Sequence, residues 1–134
     1  MADRTVFEVP FVMGAPRHRC TRTGRMYMPT SYRQAQEAVR AAYEAAGGEN
    51  HGGSPMKVSV DVYRPLPKSR PKRVESEPDT VKPDCDNIAK LVLDSLNGVA
   101  YRDDASVVVQ SVEKHPRKRG QKERSVVTVE AVAE

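Results

Sequence analysis

The sequence is poor in cysteine and aromatic residues, and this argues against several classes of protein. Its 134 residues include two cysteines, three histidines and no tryptophan, and only 5% are aromatic. Cys20 and Cys85 lie far apart and form no CxxC pair, so we expect reduced thiols and no disulfide framework. The histidines do not follow the spacing of a zinc site. A disulfide-rich secreted domain and a zinc-binding module are therefore both disfavoured.

Long hydrophobic runs are also missing. No apolar stretch approaches the roughly 20 residues that a membrane-spanning helix needs. The first residues, MADRTVFEVP, lack the apolar core of a signal peptide. We therefore expect a cytoplasmic protein with no membrane partner. With 38% hydrophobic residues, a chain of this length can bury one modest core, so we predict a single domain over residues 1–134.

Acidic residues are absent from two stretches, and positive charge is concentrated there. The net charge is only +4, but residues 9–36 and 62–74 contain no acidic side chain, and a third basic cluster lies near 115–124. We predict basic loops at about 14–28, 64–83 and 115–124. Each run alone is as consistent with a solvated loop as with a binding surface. Three runs around an acidic cluster favour contact with nucleic acid, through the candidate DNA-binding residues Arg17, Arg19, Arg22, Arg25, Lys68, Arg70, Lys72 and Arg73.

Hydrophobic periodicity predicts a mixed α/β (α+β) fold. Alternating apolar residues predict strands at about 6–11 and 56–62, and helical spacing predicts helices at about 32–46 and 87–96. A proline-rich linker, 65–83, separates the middle strand from the second helix and argues against regular structure. Two further strands, 106–115 and 125–133, are predicted to be joined by a basic hairpin loop. We expect a small mixed sheet with two main helices packed on it.

Four aspartates flank the second predicted helix, in the stretch KPDCDNIAKLVLDSLNGVAYRDD (82–104). Asp84 and Asp86 precede the helix, and Asp103 and Asp104 follow it. Carboxylates without thiolates or clustered imidazoles suit Mg²⁺ or Mn²⁺ better than Zn²⁺. A metal centre on a cationic surface indicates a phosphodiester substrate, so a nuclease is the first hypothesis. The alternative for Asp86 is a purely structural N-cap of the helix.

The polar side of the same helix carries Lys90 and Asp94. Lys90 can orient an attacking water or compensate charge in the transition state, or it can form only a surface salt bridge with Asp86 or Asp94. Asp94 is a supporting candidate that orients Lys90 or a ligand, although an exposed helical aspartate is equally consistent. Asp103 is a second supporting candidate, whose alternative role is to shape the turn.

The run KPDCDNIAKLVLDSLNGVAYRDDASV resembles the signature of RusA-type Holliday junction resolvases. The earlier segment GAPRHRCTRTGRMYMPTSYR more loosely resembles the proline- and arginine-rich N-terminal segment of that family. The resemblance implies an intertwined homodimeric endodeoxyribonuclease of bacteria or phages that needs Mg²⁺, for which Mn²⁺ can substitute. Such an enzyme resolves four-way junctions and related branched DNA by paired symmetric nicks, in recombination and repair.

The resemblance also implies roles for individual residues. Asp84, Asp86 and Asp104 correspond to the catalytic, metal-binding aspartates, and Lys90 corresponds to the essential lysine. Cys85 stands where an apolar leucine is common, and His18 departs from the usual Arg-Pro-Arg. Two other functions remain open: a nuclease of the same fold directed to flaps or forks, and a non-catalytic DNA-binding protein.

Overall fold

The computed structural model describes residues 4–16, 19–20, 26–27 and 30–132. Two helices and eight strands lie within them, together with a short 3-10 helix at Asp104–Ser106. In chain order the elements are β1 (Arg4–Val9), β2 (Arg19–Cys20), β3 (Met26–Tyr27), α1 (Thr30–Ala45), β4 (Met56–Tyr63), β5 (Ser76–Glu77), α2 (Cys85–Ser95), β6 (Val107–Lys114), β7 (Arg117–Lys118) and β8 (Arg124–Ala131). Neither helix is long and apolar enough to cross a bilayer.

The main sheet has four strands in the order β1, β8, β4, β6. β8 is antiparallel to both β1 and β4, whereas β6 is parallel to β4. Alternate residues of β4 are buried, and they form one core with the inner faces of both helices. That core includes Val58, Val60, Val39, Tyr43, Ile88, Val92 and Leu96. The predicted mixed sheet with two helices packed on it is confirmed.

The last two long strands do not form the predicted hairpin. β4 lies between β6 and β8 and is hydrogen-bonded to both. α2 carries the chain from the end of β4 back to the beginning of β6, and such a crossover produces a parallel pair. The alternation of apolar residues correctly predicted the strands, but it carries no information about their partners.

The second helix begins at Cys85, two residues earlier than an N-cap at Asp86 would allow. Its N-cap is Asp84, whose Oδ1 accepts a hydrogen bond from the Asn87 N–H at 3.1 Å. Asp86 lies in the first turn of the helix, so the prediction that Asp86 is the cap was wrong. Either aspartate suits the positive end of a helix dipole, and sequence alone could not choose between them.

The linker 65–83 is fixed to the loop that precedes β8. Leu66 is buried, and its N–H donates to the carbonyl of Lys118. Arg119 Nη2 donates to the carbonyls of Pro71 and Val74, at 2.9 and 2.7 Å. The linker is irregular, as predicted, except for the two residues of β5, which pair with β7.

Candidate active site

A cleft of about 280 Å³ lies between α2 and the edge strand β6. Three of its acidic and basic side chains come from α2, at intervals of four residues: Asp86, Lys90 and Asp94. That spacing places them on one face of the helix. Asp104, from the 3-10 helix, and Gln110, from β6, complete its polar lining. Three carboxylates and one ammonium group thus share a cleft that is open to solvent.

The buried side of α2 fixes the direction in which these groups point. Ile88, Leu91 and Val92 are each no more than 3% exposed and pack into the protein core. Rotating the helix to withdraw the acidic face from the cleft would expose these apolar side chains. Burial of each contributes roughly 1.5–3 kcal/mol, so packing of the buried face into the core is what mainly fixes the direction of the acidic face.

Asp104 is held by its main chain and surrounded by negative charge. Its N–H donates to Asn97 Oδ1 at 2.8 Å, which ties the 3-10 helix to the end of α2. Partial burial raises the pKa of the Asp104 carboxyl, and a hydrogen bond and charge repulsion from Asp103 and repulsion from Asp94 raise it further. A bound cation would relieve this repulsion.

Asp94 is anchored from the first helix. Its Oδ2 lies 3.4 Å from the hydroxyl of buried Tyr32. Burial and the neighbouring Asp94 raise the pKa of Tyr32 to about 12, so the phenol remains protonated and donates to the carboxylate. Asp94 Oδ2 also lies 3.7 Å from Lys90 Nζ.

The Lys90–Asp94 ion pair is too weak to explain the lysine structurally. The Lys90 side chain is 51% exposed, and exposed pairs of this kind contribute about 0–1 kcal/mol. The lysine also precedes the aspartate, which is the less favourable order along a helix. The ammonium group therefore remains available to a ligand in the cleft.

Not every candidate residue lines the cleft. Asp84 is exposed at the N-terminus of α2, where one carboxylate oxygen caps the helix. Its second oxygen can serve as a ligand. Asp103 is also outside the lining and contacts Asp104.

Sequence reasoning missed two polar residues at this site. Asn97 follows Asp94 by three residues, so helical spacing places it on the same polar face, but the sequence predicted no role for it beyond ending the helix. Gln110 gave no signal, because an amide on an edge strand is ordinary in a sequence. Only the parallel pairing of β6 with β4, in which Gln110 faces Val58, reveals its place beside α2.

The predicted DNA-binding residues are only partly described. Arg17, Arg22, Arg25 and the side chain of Arg19 lie outside the described part of the structure. On the linker, Arg70 donates to Glu77 at 3.0 Å and lowers the pKa of that carboxyl. The other three predicted linker cations are also exposed to solvent: Lys68, Lys72 and Arg73.

A second cluster of possible metal ligands lies on the opposite face of the sheet. His115 Nε2 is 2.8 Å from Asp61 Oδ1, and His115 Nδ1 is 3.3 Å from Glu113 Oε2. Asp61, Glu113 and His115 can each offer one ligand atom such that the three atoms lie within 4.8 Å of one another. The imidazole also stacks on Tyr63 at 4.5 Å. The sequence did not predict this group, because strand pairing brings Asp61 beside Glu113.

A mixed α/β domain with a carboxylate-rich cleft, a neighbouring lysine and exposed basic loops has the features of a nuclease. The comparisons with known proteins agree. The family model described as endodeoxyribonuclease RusA matches residues 10–130. The chain is also 34% identical over 120 residues to the uncharacterized protein YqaN of Bacillus subtilis (strain 168), covering 82% of this chain and 84% of that protein. The chain therefore belongs to the RusA endodeoxyribonuclease family, and the resemblance inferred from the sequence is confirmed.

Proposed function

We propose that this protein is a divalent-metal-dependent, structure-selective endodeoxyribonuclease that resolves Holliday junctions by paired symmetric nicks, in DNA recombination and repair. The observation that carries the proposal is the cleft beside α2, which collects Asp86, Asp94 and Asp104 next to Lys90. Membership of an endodeoxyribonuclease family supports DNA as the substrate. A DNA substrate also supports the expected cytoplasmic location.

Asp84, Asp86 and Asp104 are the proposed metal ligands, with Mg²⁺ as the ion and Mn²⁺ as a substitute. The donor set fits because it consists of carboxylate oxygens, which hard cations prefer. The raised pKa of Asp104, caused by partial burial and by the neighbouring Asp103 and Asp94, supports a cation beside Asp104, because a cation would offset that repulsion. When bound, the ion supplies an activated water and neutralises the charge of the phosphate.

The remaining polar residues act around that centre. Lys90 is proposed to orient the attacking water or to compensate negative charge that develops on the phosphate. Asp94, fixed by Tyr32, orients Lys90. Asp103 supports Asp104. The exposed cations Lys68, Lys72 and Arg73, together with the basic N-terminal residues, are proposed to contact DNA phosphates.

Paired nicks on a two-fold symmetric junction require two copies of the site, so we propose a homodimer. In the described part of the chain, β6 is an edge strand. Val108 and Val109 of this strand are 60% and 42% exposed. Exposed apolar side chains on an open edge are disfavoured in a monomer, and burial against a second copy would remove this cost.

A nicking assay with junction, fork, flap and duplex DNA in Mg²⁺ tests the proposal. We expect cleavage of the junction, and a loss of at least about 100-fold, or about 2.7 kcal/mol of transition-state stabilisation, for Asp86→Asn. Asp61→Asn is the matched control, because it removes the same charge from the second cluster. If Asp86→Asn retains activity and Asp61→Asn loses it, the metal site is the cluster of Asp61, Glu113 and His115 on the other face of the sheet. Preferential cutting of flaps or forks would favour the alternative nuclease, and binding without cleavage would favour a non-catalytic protein.

A further inference from the structure

The linker contains a buried carboxylate that the proposed reaction does not use. Asp79 is 8% exposed as a residue, and its side chain is fully buried. Within the described residues, neither of its carboxylate oxygens has a hydrogen-bond partner. Its neighbours are two cations: Arg64 Nη1 at 3.6 Å and Lys114 Nζ at 3.8 Å from Oδ1. An anion buried in this way is costly unless it compensates nearby positive charge.

The two cations donate to the chain that leads into the proposed metal ligands. Lys114 Nζ donates to the carbonyls of Val81 and Pro83, at 2.5 and 3.0 Å. Arg64 Nη1 donates to the carbonyl of Lys82, which lies between them, at 2.9 Å. Three consecutive carbonyls are therefore held immediately before Asp84.

The position of the cations is set by the sheet. Arg64 directly follows β4, and Lys114 ends β6. Because these neighbouring strands are parallel, their carboxyl ends lie side by side, and both cations are at the same end of the sheet. Their side chains are only 17% and 11% exposed, so their mutual repulsion is poorly screened by water. Asp79 offsets that repulsion and keeps both cations directed at the same short segment.

We infer that Asp79 is a positioning residue, which acts through Arg64 and Lys114 to fix the segment carrying Asp84 and Asp86 for metal binding. The inference rests on the proposed function of those two aspartates. α2 itself is held by its buried face, so the contribution of Asp79 is greatest at Asp84, which precedes the helix. A purely structural role would change the stability of the protein without changing its affinity for metal.

Asp79→Asn separates the two roles, because it removes the charge and keeps the shape of the side chain. We expect the Mg²⁺ concentration for half-maximal junction cleavage to rise by about 10- to 100-fold, the range found when groups that orient metal ligands are removed. The affinity of the folded, DNA-free protein for Mn²⁺, measured by titration calorimetry, should fall by the same factor. Cleavage at saturating metal should fall much less. Glu75→Gln is the control, since Glu75 is an exposed carboxylate on the same linker and should leave both measurements unchanged.

The outcomes separate this inference from the proposed function. If Asp84→Asn and Asp86→Asn weaken Mn²⁺ binding while Asp79→Asn does not, the positioning role is wrong and the metal site stands. If none of the three changes Mn²⁺ binding, the proposed metal site itself is wrong. If Asp79→Asn does not fold, Arg64→Lys decides, because it keeps the charge but removes the guanidinium that donates to the Lys82 carbonyl. An unchanged Mn²⁺ affinity in that variant would overturn the inference.

Discussion

Replacing Asp104 with asparagine should inactivate the enzyme while stabilising the metal-free protein. The pKa of this carboxyl is raised above its ordinary value of 3.8 by partial burial and by Asp103 and Asp94. A carboxyl with a raised pKa stabilises the fold only when it is protonated. That contribution is complete below pH 3.8 and is lost as the pH rises through the folded-state value. At neutral pH the ionised Asp104 therefore destabilises the metal-free fold.

The stabilisation expected from Asp104→Asn is small, because the Asp104 side chain is partly exposed to solvent. Like charges at such sites cost about a few tenths of a kcal/mol each, and a side chain that is only partly buried is screened by water. For a domain of this size we expect Asp104→Asn to raise the melting temperature of the metal-free protein by about 1–2 °C at pH 7. The Asn97 bond should survive, because it is made by the main-chain N–H of residue 104.

Thermal unfolding in a chelator at pH 4 and at pH 7, repeated in Mg²⁺, tests this reasoning. The stability difference between the variant and the wild type should be largest at pH 7 in the chelator, and it should shrink at pH 4. Mg²⁺ should stabilise the wild type more than the variant, since only the wild type retains the proposed ligand. A variant that is less stable than the wild type in the chelator at neutral pH, or that responds equally to Mg²⁺, would refute the argument.

Three further predictions concern the lysine, the basic linker and the edge strand. Lys90→Met should lower the cleavage rate by about 100-fold without changing the Mg²⁺ concentration for half-maximal activity, and a larger Mg²⁺ requirement would show that the lysine supports the metal instead. The exposed linker cations to neutralise are Lys68, Lys72 and Arg73. Their neutralisation should reduce the slope of log binding constant against log salt concentration by about 0.9 for each phosphate contact that is lost. An unchanged slope would show that these side chains are solvated and do not contact DNA. Val108→Asp should shift the protein from dimer to monomer in light scattering, and a dimer that persists would place the interface elsewhere.

The sequence predicted much of the fold because the relevant signals are local. Alternation in β4 and helical spacing in α2 follow from which side chains the core buries, and both elements were found within a few residues. The partner of β6 was not predictable in the same way, because the crossover through α2 decides it. The N-cap of α2 was assigned to the wrong aspartate, because Asp84 and Asp86 are two residues apart and chemically identical.

The site was predictable to the extent that one helix carries it. Asp86, Lys90 and Asp94 follow a helical period that can be read in the sequence, and all three line the cleft. Gln110 and Asp79 were missed, since their roles depend on strand pairing and on burial in an irregular linker. Residues of those types are ordinary in exposed loops and strands, so composition gave no reason to single them out.

The distribution of positive charge shows why a basic sequence overstates a DNA-binding surface. Arg64 and Lys114 hold the chain before Asp84, and Arg117 and Arg119 donate to linker carbonyls. These donors are committed to the protein's own main chain, so each would have to break an internal bond to contact a phosphate. The linker and the loop that follows β6 are therefore partly a scaffold for the acidic site. Within the described residues, DNA binding has to depend most on the cations that remain exposed, and the arginine-rich N-terminal segment becomes correspondingly more important to the proposed function.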